Sequence, residues 1–438
     1  MQDPRASAPG SAPAGTPPPV TIPLPPEPTS IEQTGLSLAF LTDLALKTLY
    51  GRGQLTLAEI AGALGLPITN VVDKVMDWLK AEHLAEIKGG TGLSAAAYVY
   101  TIVDKGAEKA RQALERSQYT GKAPVPLAAY VAAVKRQSIQ GISVSQAEVQ
   151  RAFSQIVLSP ATVAELGPAV NSGKSIFLFG PPGNGKTTIA DIAVSLLKGE
   201  VVLPYAVEVD GQVIQVFDQV YHRPALDQAT SDRLRYDHRW AVSKRPVVVT
   251  GGELTLEMLD LIYEDTGKLY EAPFQMKANG GIFMIDDFGR QRVSPRDLLN
   301  RWIVPLEKRV DYLALKTGKK IEIPFDMLII FSTNLDPKDL VDEAFLRRIR
   351  YKIAIDSPTL PQFEEIFRRM CARKQIEFTA EGLGTFLAYY KANGLEYRAC
   401  HPRDLLEQLT DAARFFNRPA ALQPDLIRMA CESYFVKL

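Results

Sequence analysis

Three features are scarce or absent in this chain of 438 residues. The three cysteines, Cys371, Cys400 and Cys431, are widely spaced, which fits no metal-ligand motif and suits a reducing compartment better than a disulfide framework. Basic and acidic residues number 50 each, so no bulk charge favours nucleic acid or an anionic membrane. No apolar run is long enough to span a bilayer, so we expect a cytoplasmic protein without membrane insertion.

Proline is concentrated at one end, because ten of the 30 prolines fall within the first 30 residues. Such a segment buries too little apolar surface to offset the entropy lost on ordering, and it predicts a disordered tail over residues 1–34. The segment has no basic region followed by an apolar core, so a secretory signal is not expected. The alternative to a plain tail is a polyproline segment that docks on a partner.

One short stretch has the pattern of a phosphate-binding loop, with apolar strand-type residues before it and helix-forming residues after it. The stretch fits G-x-x-x-x-G-K-[ST] and consists of Gly180, Pro181, Pro182, Gly183, Asn184, Gly185, Lys186, Thr187 and Thr188. Glycines let successive backbone N–H groups converge on phosphate oxygens, and the next helix directs its positive end to the same point. Lys186 supplies a charge for the β and γ phosphates, and Thr187 offers a hydroxyl to Mg²⁺. The alternative is an ordinary glycine-rich turn.

Beyond the loop, strands alternate with helices, which predicts a parallel α/β sheet with ligands at the strand carboxyl ends. One apolar strand ends in Asp286 and Asp287. One carboxylate there can hold Mg²⁺, and the other can orient or deprotonate an attacking water. A later strand ends in Asn334, whose amide can detect the γ-phosphate. Residues 254–263 have a helical pattern, and residues 210–211 predict the turn of a β-hairpin inserted in the core.

Over residues 145–438 the chain resembles the AAA+ ATPases, which have a P-loop NTPase α/β core followed by an α-helical lid. The phosphate loop matches the Walker A motif, Asp286 and Asp287 match Walker B, and Asn334 matches sensor 1. The resemblance implies ATP and Mg²⁺ as cofactors and ATP hydrolysis as the activity.

Three arginines extend the resemblance. Arg348, or alternatively Arg347, matches the arginine finger, and Arg403 matches sensor 2 in the lid. The alternatives are that Arg348 is an ordinary surface residue and that Arg403 is only a charge at the N-terminus of a helix. The resemblance implies a homo-oligomeric ring, usually a hexamer, in which each finger reaches the nucleotide of the neighbouring subunit.

The chain departs from the family at Asp287, where a glutamate is usual. The shorter side chain sets the carboxylate back by one methylene, so slow hydrolysis is an alternative to the active enzyme that we expect. The layout of residues 270–325 looks like that of MoxR-type ATPases and enhancer-binding activators. The activators' Gly-Ala-Phe-Thr-Gly-Ala signature is absent, which favours a MoxR-like protein. Residues 254–274 are expected to form an exposed working loop, with core and turn as the alternative.

Residues 35–118 predict a winged-helix (α+β) domain, because three helices precede two strands and a closing helix. This region has nine bases and nine acids. A DNA reader needs a basic face, so protein docking is favoured over DNA binding. Residues 119–144 are predicted as a linker, 145–357 as the core and 358–438 as the lid.

The leading hypothesis is an ATP-driven remodeller or chaperone whose winged helix recruits an unknown protein substrate or adaptor. The first alternative is a DNA-associated ATPase that assists transcription, transposition or replication. The second alternative is a nucleotide switch with negligible turnover.

Overall fold

A computed structural model of the chain describes residues 22–90, 95–340 and 346–435. Residues 1–21 of the predicted tail lie outside the described residues. The alternation of strands and helices in the sequence also predicts a short helix over residues 343–348, of which residues 343–345 lie outside the described residues. In the described ranges, no helix has both the length and the apolar composition needed to cross a bilayer.

The N-terminal unit packs short helices around a three-stranded antiparallel sheet of order β1-β3-β2. Its elements are α1 (Ile31–Thr34), α2 (Leu38–Arg52), β1 (Leu55–Thr56), α3 (Leu57–Leu64), α4 (Asp73–Ala81), β2 (Ala85–Gly90), β3 (Tyr98–Ile102) and α5 (Asp104–Arg116). Thr56 caps α3: its hydroxyl accepts the Glu59 N–H, and the Glu59 carboxylate accepts the Thr56 N–H.

The chain that leads to the phosphate loop is folded, and the region predicted as a linker over residues 119–144 contains a strand and a helix. Its elements are β4 (Val125–Pro126), α6 (Leu127–Arg136), α7 (Gln146–Phe153), α8 (Pro160–Asn171), β5 (Ser175–Phe179) and α9 (Lys186–Leu196). Val125 is fully buried and pairs in parallel with Val207. This pairing joins residues distant in sequence, so local composition gives no sign of it.

A second sheet, called the insertion sheet below, is built mainly from residues between α9 and the parallel strand β13 (Ile282–Ile285) and is joined by β4. The elements of this region are β6 (Glu200–Pro204), β7 (Ala206–Val209), β8 (Gln212–Gln215), α10 (Gln228–Arg233), β9 (Trp240–Lys244), β10 (Val247–Thr250), β11 (Ile262–Glu264), β12 (Leu269–Glu271) and α11 (Phe274–Lys277). The insertion sheet has the order β11-β12-β8-β7-β4, and β6 pairs with β9. Asp210 and Gly211 have φ of +51° and +78°, which confirms the predicted hairpin turn.

Residues 254–263 are not the helix that their pattern predicts. They contain one 3₁₀ turn, Glu257–Leu259, before β11 begins. Leu254 and Leu259 are fully buried and Tyr270 nearly so, because their apolar side chains fill two cores. The stretch is thus part core and part surface, because Ile262 is 44% exposed and residues 264–266 are exposed as well. The exposed working loop expected over residues 254–274 stays a prediction.

The central unit is completed by a five-stranded parallel sheet of order β10-β13-β16-β5-β17. Its remaining elements are β13 (Ile282–Ile285), α12 (Pro295–Lys308), β14 (Val310–Ala314), β15 (Lys320–Pro324), β16 (Leu328–Thr333), α13 (Pro337–Leu340) and β17 (Tyr351–Ala354). β14 and β15 form an antiparallel hairpin outside this sheet. The strand–helix alternation of the sequence predicted the parallel sheet correctly.

The C-terminal unit is helical and has a hydrophobic core of its own. Its helices are α14 (Leu360–Arg373), α15 (Ala380–Asn393), α16 (His401–Phe415) and α17 (Pro424–Tyr434). At the other end of the chain, Ile22 and Leu24 pack against the core of the insertion sheet. The Pro25 carbonyl also accepts the Asp237 N–H at 2.9 Å, so the folded chain begins earlier than the predicted end of the tail at residue 34.

Candidate active site

Side-chain alternation on β13 and β16 decides which residues face α9. Every second residue of the two strands shares a hydrophobic core with α9, namely Ile282, Met284, Leu328 and Ile330. Their neighbours Phe283 and Phe331 lie on the opposite face with α12. Because strand side chains alternate between faces, the same pattern carries Asp286, Ser332 and Asn334 to the α9 side at the carboxyl end of the sheet.

The loop between β5 and α9 has the backbone that its glycines predict. The φ angles are +136° at Gly180, +80° at Gly183 and +82° at Gly185, and glycine adopts such values without strain. Lys186 Nζ folds back and donates to the carbonyl oxygens of Gly180 at 2.9 Å and Pro181 at 3.0 Å. The ammonium group is thus held at the N-terminal end of α9, where an anion is stabilised.

Charges around the loop act on one another. Burial lowers the pKa of Lys186, and the carboxylates of Asp286 and Asp287 oppose that shift. Burial raises the pKa of Asp191 in α9, and the charge of Asp286 acts in the same direction. A bound polyphosphate would add negative charge beside Lys186 and so favour its ammonium form.

Thr187 and Asp286 join the first turn of α9 to the end of β13. The Thr187 hydroxyl donates to Oδ2 of Asp286 at 2.8 Å. Two adjacent hard oxygen ligands fit Mg²⁺, which commonly takes one or two protein ligands and shares the rest with water and phosphate. In the part of the chain that the structure describes, no three His, Cys, Asp or Glu side chains cluster as a protein-only metal site.

Asp287 has a left-handed backbone, with φ of +48°. Aspartate tolerates this conformation better than most residues. Strand alternation alone would direct Asp287 towards α12, but the left-handed residue ends the strand and Asp287 lines the same cavity as Asp286. The following loop is attached to β16, because the Phe288 N–H donates to the Ser332 carbonyl and the Thr333 hydroxyl donates to the Phe288 carbonyl, both at 2.7 Å.

Two side-chain oxygens at the carboxyl end of β16, Ser332 Oγ and Asn334 Oδ1, are buried in this cavity. Neither has a hydrogen-bond partner among the described residues. Thr333, between them, faces the other way and is paired. Buried polar atoms are normally satisfied, so a ligand or its water is the natural partner for these two oxygens.

The connection between α15 and α16 lies directly on the phosphate loop. The Cys400 N–H donates to the Gly183 carbonyl at 2.9 Å, and the Ala399 N–H donates to Asn184 Oδ1 at 3.1 Å. A methyl group added at Gly183 would lie 2.6 Å from Cys400 Sγ, so only glycine permits this approach. The C-terminal unit therefore forms one wall of the site.

Arg403 extends from the first turn of α16 into the cavity. Its Nε donates to Asp404 Oδ1 at 2.7 Å. The other oxygen of Asp404 accepts the Tyr434 hydroxyl at 3.0 Å. Asp404 thus orients the guanidinium group, and the Tyr434 hydroxyl links Asp404 to α17.

These groups line one cavity of about 520 Å³, a volume typical of small-ligand sites. Residues 155–158 and the α14 side chains Ile366 and Met370 supply an apolar wall. The phosphate loop and the two aspartates supply a polar wall. A nucleotide has the same division between an apolar base and charged phosphates, so the cavity fits one.

Most of the predicted site residues meet in this cavity, and four do not line it. Gly180 and Pro181 contribute the carbonyls that hold Lys186. Arg347 and Arg348 are not among the described residues of the lining. The Arg348 Nε instead donates to Glu307 Oε1 on α12 at 2.6 Å.

Sequence reasoning missed several lining residues. Ser332 is two positions before Asn334 on one strand, so the period of two would have indicated it. Residues 155–158 and the α14 side chains carry no local signal, because only the folded chain brings them to the loop. Cys400 likewise has no motif, and its role depends on the absence of a side chain at Gly183.

The strand order and the loop after β5 are those of a P-loop nucleotide-binding α/β fold. Residues 359–433, which contain the C-terminal helices, match the family model described as Domain of unknown function (DUF8689). No curated protein sequence matches the chain.

Among solved structures, the chain is similar to a variant of RuvB from Thermotoga maritima, at 13% identity and a TM-score of 0.40, covering 65% of this chain and 72% of that one. It is similar to NtrX from Brucella abortus in complex with ADP, at 15% identity and 0.38, covering 64% of this chain but only 56% of that one. It is also similar to the Thermotoga maritima RuvB Holliday junction branch migration motor, at 15% identity and 0.34, covering 67% and 72%. Likenesses at this level say nothing of activity, and the fold assignment rests on the strand order and loop of this chain.

Proposed function

We propose that this chain is an AAA+ ATPase that binds ATP with Mg²⁺ in the 520 Å³ cavity and hydrolyses it. The observation that carries the proposal is that this one cavity gathers the phosphate loop, both aspartates, Asn334 and Arg403. Phosphoryl transfer needs a phosphate cradle, carboxylates for the metal ion and the water, and polar or cationic groups near the γ-phosphate, and these residues are of those types.

In this proposal the chain's own groups divide the work. The loop N–H groups and Lys186 bind the β and γ phosphates, and Arg403 neutralises charge from the side of the C-terminal unit, which acts as a lid. Asp287 orients the attacking water and accepts its proton, and Asn334 contacts the γ-phosphate. Thr187 and Asp286 hold Mg²⁺, which supplies charge neutralisation for the leaving phosphate oxygens.

The proposal includes a ring of identical subunits, with a hexamer as the expected form. Arg348 is supplied on the surface beside α12 rather than in the chain's own cavity, with its side chain 30% exposed and bonded to Glu307. An arginine in that place can complete the site of a neighbouring subunit. Hydrolysis would then require assembly.

We further propose that the N-terminal unit is a winged helix that docks on a protein. Ile87 on β2 and Tyr98 on β3 are 39% and 40% exposed on the two-stranded ribbon, which suits an apolar contact. The exposed side of α4 carries Asp77 and Lys80, paired with each other at 3.2 Å, and so offers no uniformly basic face to DNA. A cytoplasmic, MoxR-like remodeller of protein partners fits these features.

Steady-state ATP hydrolysis by the full chain tests the proposal. Activity per chain should rise with protein concentration, and Lys186→Ala and Arg348→Ala should each lower it by about 100-fold or more. A mixture of the two variants should regain activity, because a Lys186→Ala subunit still supplies Arg348 to its neighbour. Lys109→Ala, a surface lysine in α5, is the matched control and should leave activity unchanged.

Two outcomes would sink parts of the proposal. A chain that binds ATP but does not hydrolyse it at any concentration is a nucleotide switch rather than an ATPase. Micromolar binding of the full chain to duplex DNA that weakens steeply with salt would favour the DNA-associated alternative.

A further inference from the structure

Ser332 is a buried polar residue in a place where an apolar one would cost less. It lies on β16 between Ile330 and Asn334, is 1% exposed, and its Oγ has no partner within the described residues. A buried hydroxyl without a hydrogen bond costs about 1–3 kcal/mol. Alanine at this position would remove that cost, so the hydroxyl is expected to have a partner in the working protein.

Other buried serines show what a purely structural hydroxyl does. Ser243 on β9 is fully buried, and its Oγ donates to the carbonyl oxygens of Arg223 at 2.9 Å and Lys244 at 2.8 Å. Ser175, on the strand beside β16, accepts the Arg350 N–H. The unsatisfied hydroxyl of Ser332 differs from both in that it lines the nucleotide cavity.

Ser332 lines the cavity together with the two aspartates. Both oxygens of Asp286 already accept hydrogen bonds, from Thr187 and from the Asp287 N–H. Asn334 Oδ1, the next polar atom on the same strand face, also lacks a partner in the described chain. Residues two apart on a strand point to the same face, so Ser332 and Asn334 line the same part of the cavity.

We propose that Ser332 is a further catalytic residue, whose hydroxyl, together with Asn334, holds the water that attacks the γ-phosphate. The inference rests on the proposed ATP hydrolysis. The water oxygen forms a bond to the γ-phosphorus while the bond from that phosphorus to the β–γ bridging oxygen breaks. The electron pair leaves with ADP, and the proton of the water passes to the Asp287 carboxylate.

Ser332→Ala in the full chain tests this inference, with ADP alone and ADP plus aluminium fluoride as probes. Affinity for ADP should stay within about two-fold, whereas affinity for the aluminium fluoride complex, which mimics the attacked phosphate, should fall about ten-fold. The kcat should fall about ten-fold with KM little changed. Ser332→Thr keeps the hydroxyl on a β-branched side chain. It should restore most of the affinity for the aluminium fluoride complex and most of the kcat.

Stability gives a readout that is independent of hydrolysis. Without nucleotide, Ser332→Ala should raise Tm by about 2 °C, because an unsatisfied buried hydroxyl is removed. Ser243→Ala is the matched control: it should lower Tm, because the two carbonyls that share this one hydroxyl donor lose it, and should leave both affinities unchanged.

The outcomes separate this inference from the proposed function. If Ser332→Ala hydrolyses ATP within two-fold of the parent chain and binds aluminium fluoride equally well, Ser332 holds no catalytic water. If it weakens ADP and ADP–aluminium fluoride equally, Ser332 acts in binding or folding instead. A parent chain that binds nucleotide without hydrolysing it overturns the proposed function, and this inference with it.

Discussion

The N-terminal unit and the C-terminal helical unit are joined to the central unit in different ways. The N-terminal unit shares one hydrophobic core with the insertion sheet, because Ala206 and Val213 of that sheet pack among its helices. The core of the C-terminal unit, by contrast, draws all its described members from residues 363–435. The N-terminal and central units thus share one hydrophobic core, whereas the C-terminal and central units are in contact but keep separate cores.

The two junctions also differ in their polar contacts. At the N-terminal junction, Arg239 and Asp237 form an ion pair at 2.8 Å with both side chains 5% exposed. Arg239 Nη1 also donates to the carbonyl oxygens of Thr34 and Pro124. This one guanidinium group therefore binds three separate segments of the chain.

At the C-terminal junction, polar contacts between described residues lie beside the cavity. The Cys400 and Ala399 N–H groups donate to the phosphate loop, and the Arg369 guanidinium donates to the Ser154 carbonyl. Hydrogen bonds at the edge of a ligand site can be replaced by bonds to water or to the ligand. This junction therefore suits a unit that changes its position when a nucleotide binds. A junction with a buried, fully paired charge suits a fixed attachment.

The largest effect should come from breaking the fixed junction. Arg239→Met leaves Asp237 buried and unpaired, and should lower the free energy of unfolding by about 3–5 kcal/mol, measured by thermal or urea denaturation. Lys316→Met is the control, because its ion pair with Asp265 is exposed to water and its loss should leave stability nearly unchanged. An unchanged stability in Arg239→Met would remove the contrast between the junctions.

A smaller, pH-dependent effect should appear in the C-terminal core. Burial lowers the pKa of His401 to about 4, whereas an unfolded chain protonates histidine near 6.5. As pH falls from 6.5 towards 4, the unfolded state therefore gains protons that the folded state does not, and stability falls; above 6.5 this contribution is constant. The loss between pH 7.5 and 5 should be about 2 kcal/mol.

Urea denaturation at those two pH values measures this loss. The matched variant is His401→Gln, which cannot titrate but can still bond the Tyr390 hydroxyl that contacts His401 Nδ1 at 2.8 Å. Its stability should depend less on pH by the same amount. If both proteins lose equal stability in acid, the burial of His401 does not control this unit.

The smallest effect, about 1 kcal/mol in the free energy of ADP binding, should come from the contact between the C-terminal unit and the phosphate loop. Gly183→Ala places a methyl group against Cys400 Sγ and should weaken ADP binding about five-fold, measured by titration of a fluorescent ADP. Adding Cys400→Ala should restore part of the affinity. Gly211→Ala has a similar φ of +78° in open space, so it controls for backbone strain and should leave binding unchanged.

The sequence predicted features whose causes are local. The phosphate loop and the Asp210-Gly211 turn each follow from a few adjacent residues, and both are present. The elements that were missed depend on distant partners. The strand at Val125 exists because Val207 pairs with it, and Ile22 is ordered because the core of the insertion sheet receives it.

The same distinction holds within the candidate site. Asp286 and Asn334 were found because a motif marks them, and both line the cavity. Ser332 belongs to no motif, and its burial without a partner is visible only in three dimensions. The lining residues on α14 could not be predicted for a different reason: they belong to another unit of the chain.

The left-handed backbone at Asp287 also limits which amino acids this position accepts. Glycine, asparagine and aspartate adopt that conformation at low cost, and of these only aspartate carries an acid. An Asp287→Glu exchange would regain one methylene of reach but place a longer side chain on an unfavourable backbone, at a cost of about 1 kcal/mol. The shape of the turn, rather than the chemistry alone, therefore selects the shorter acid.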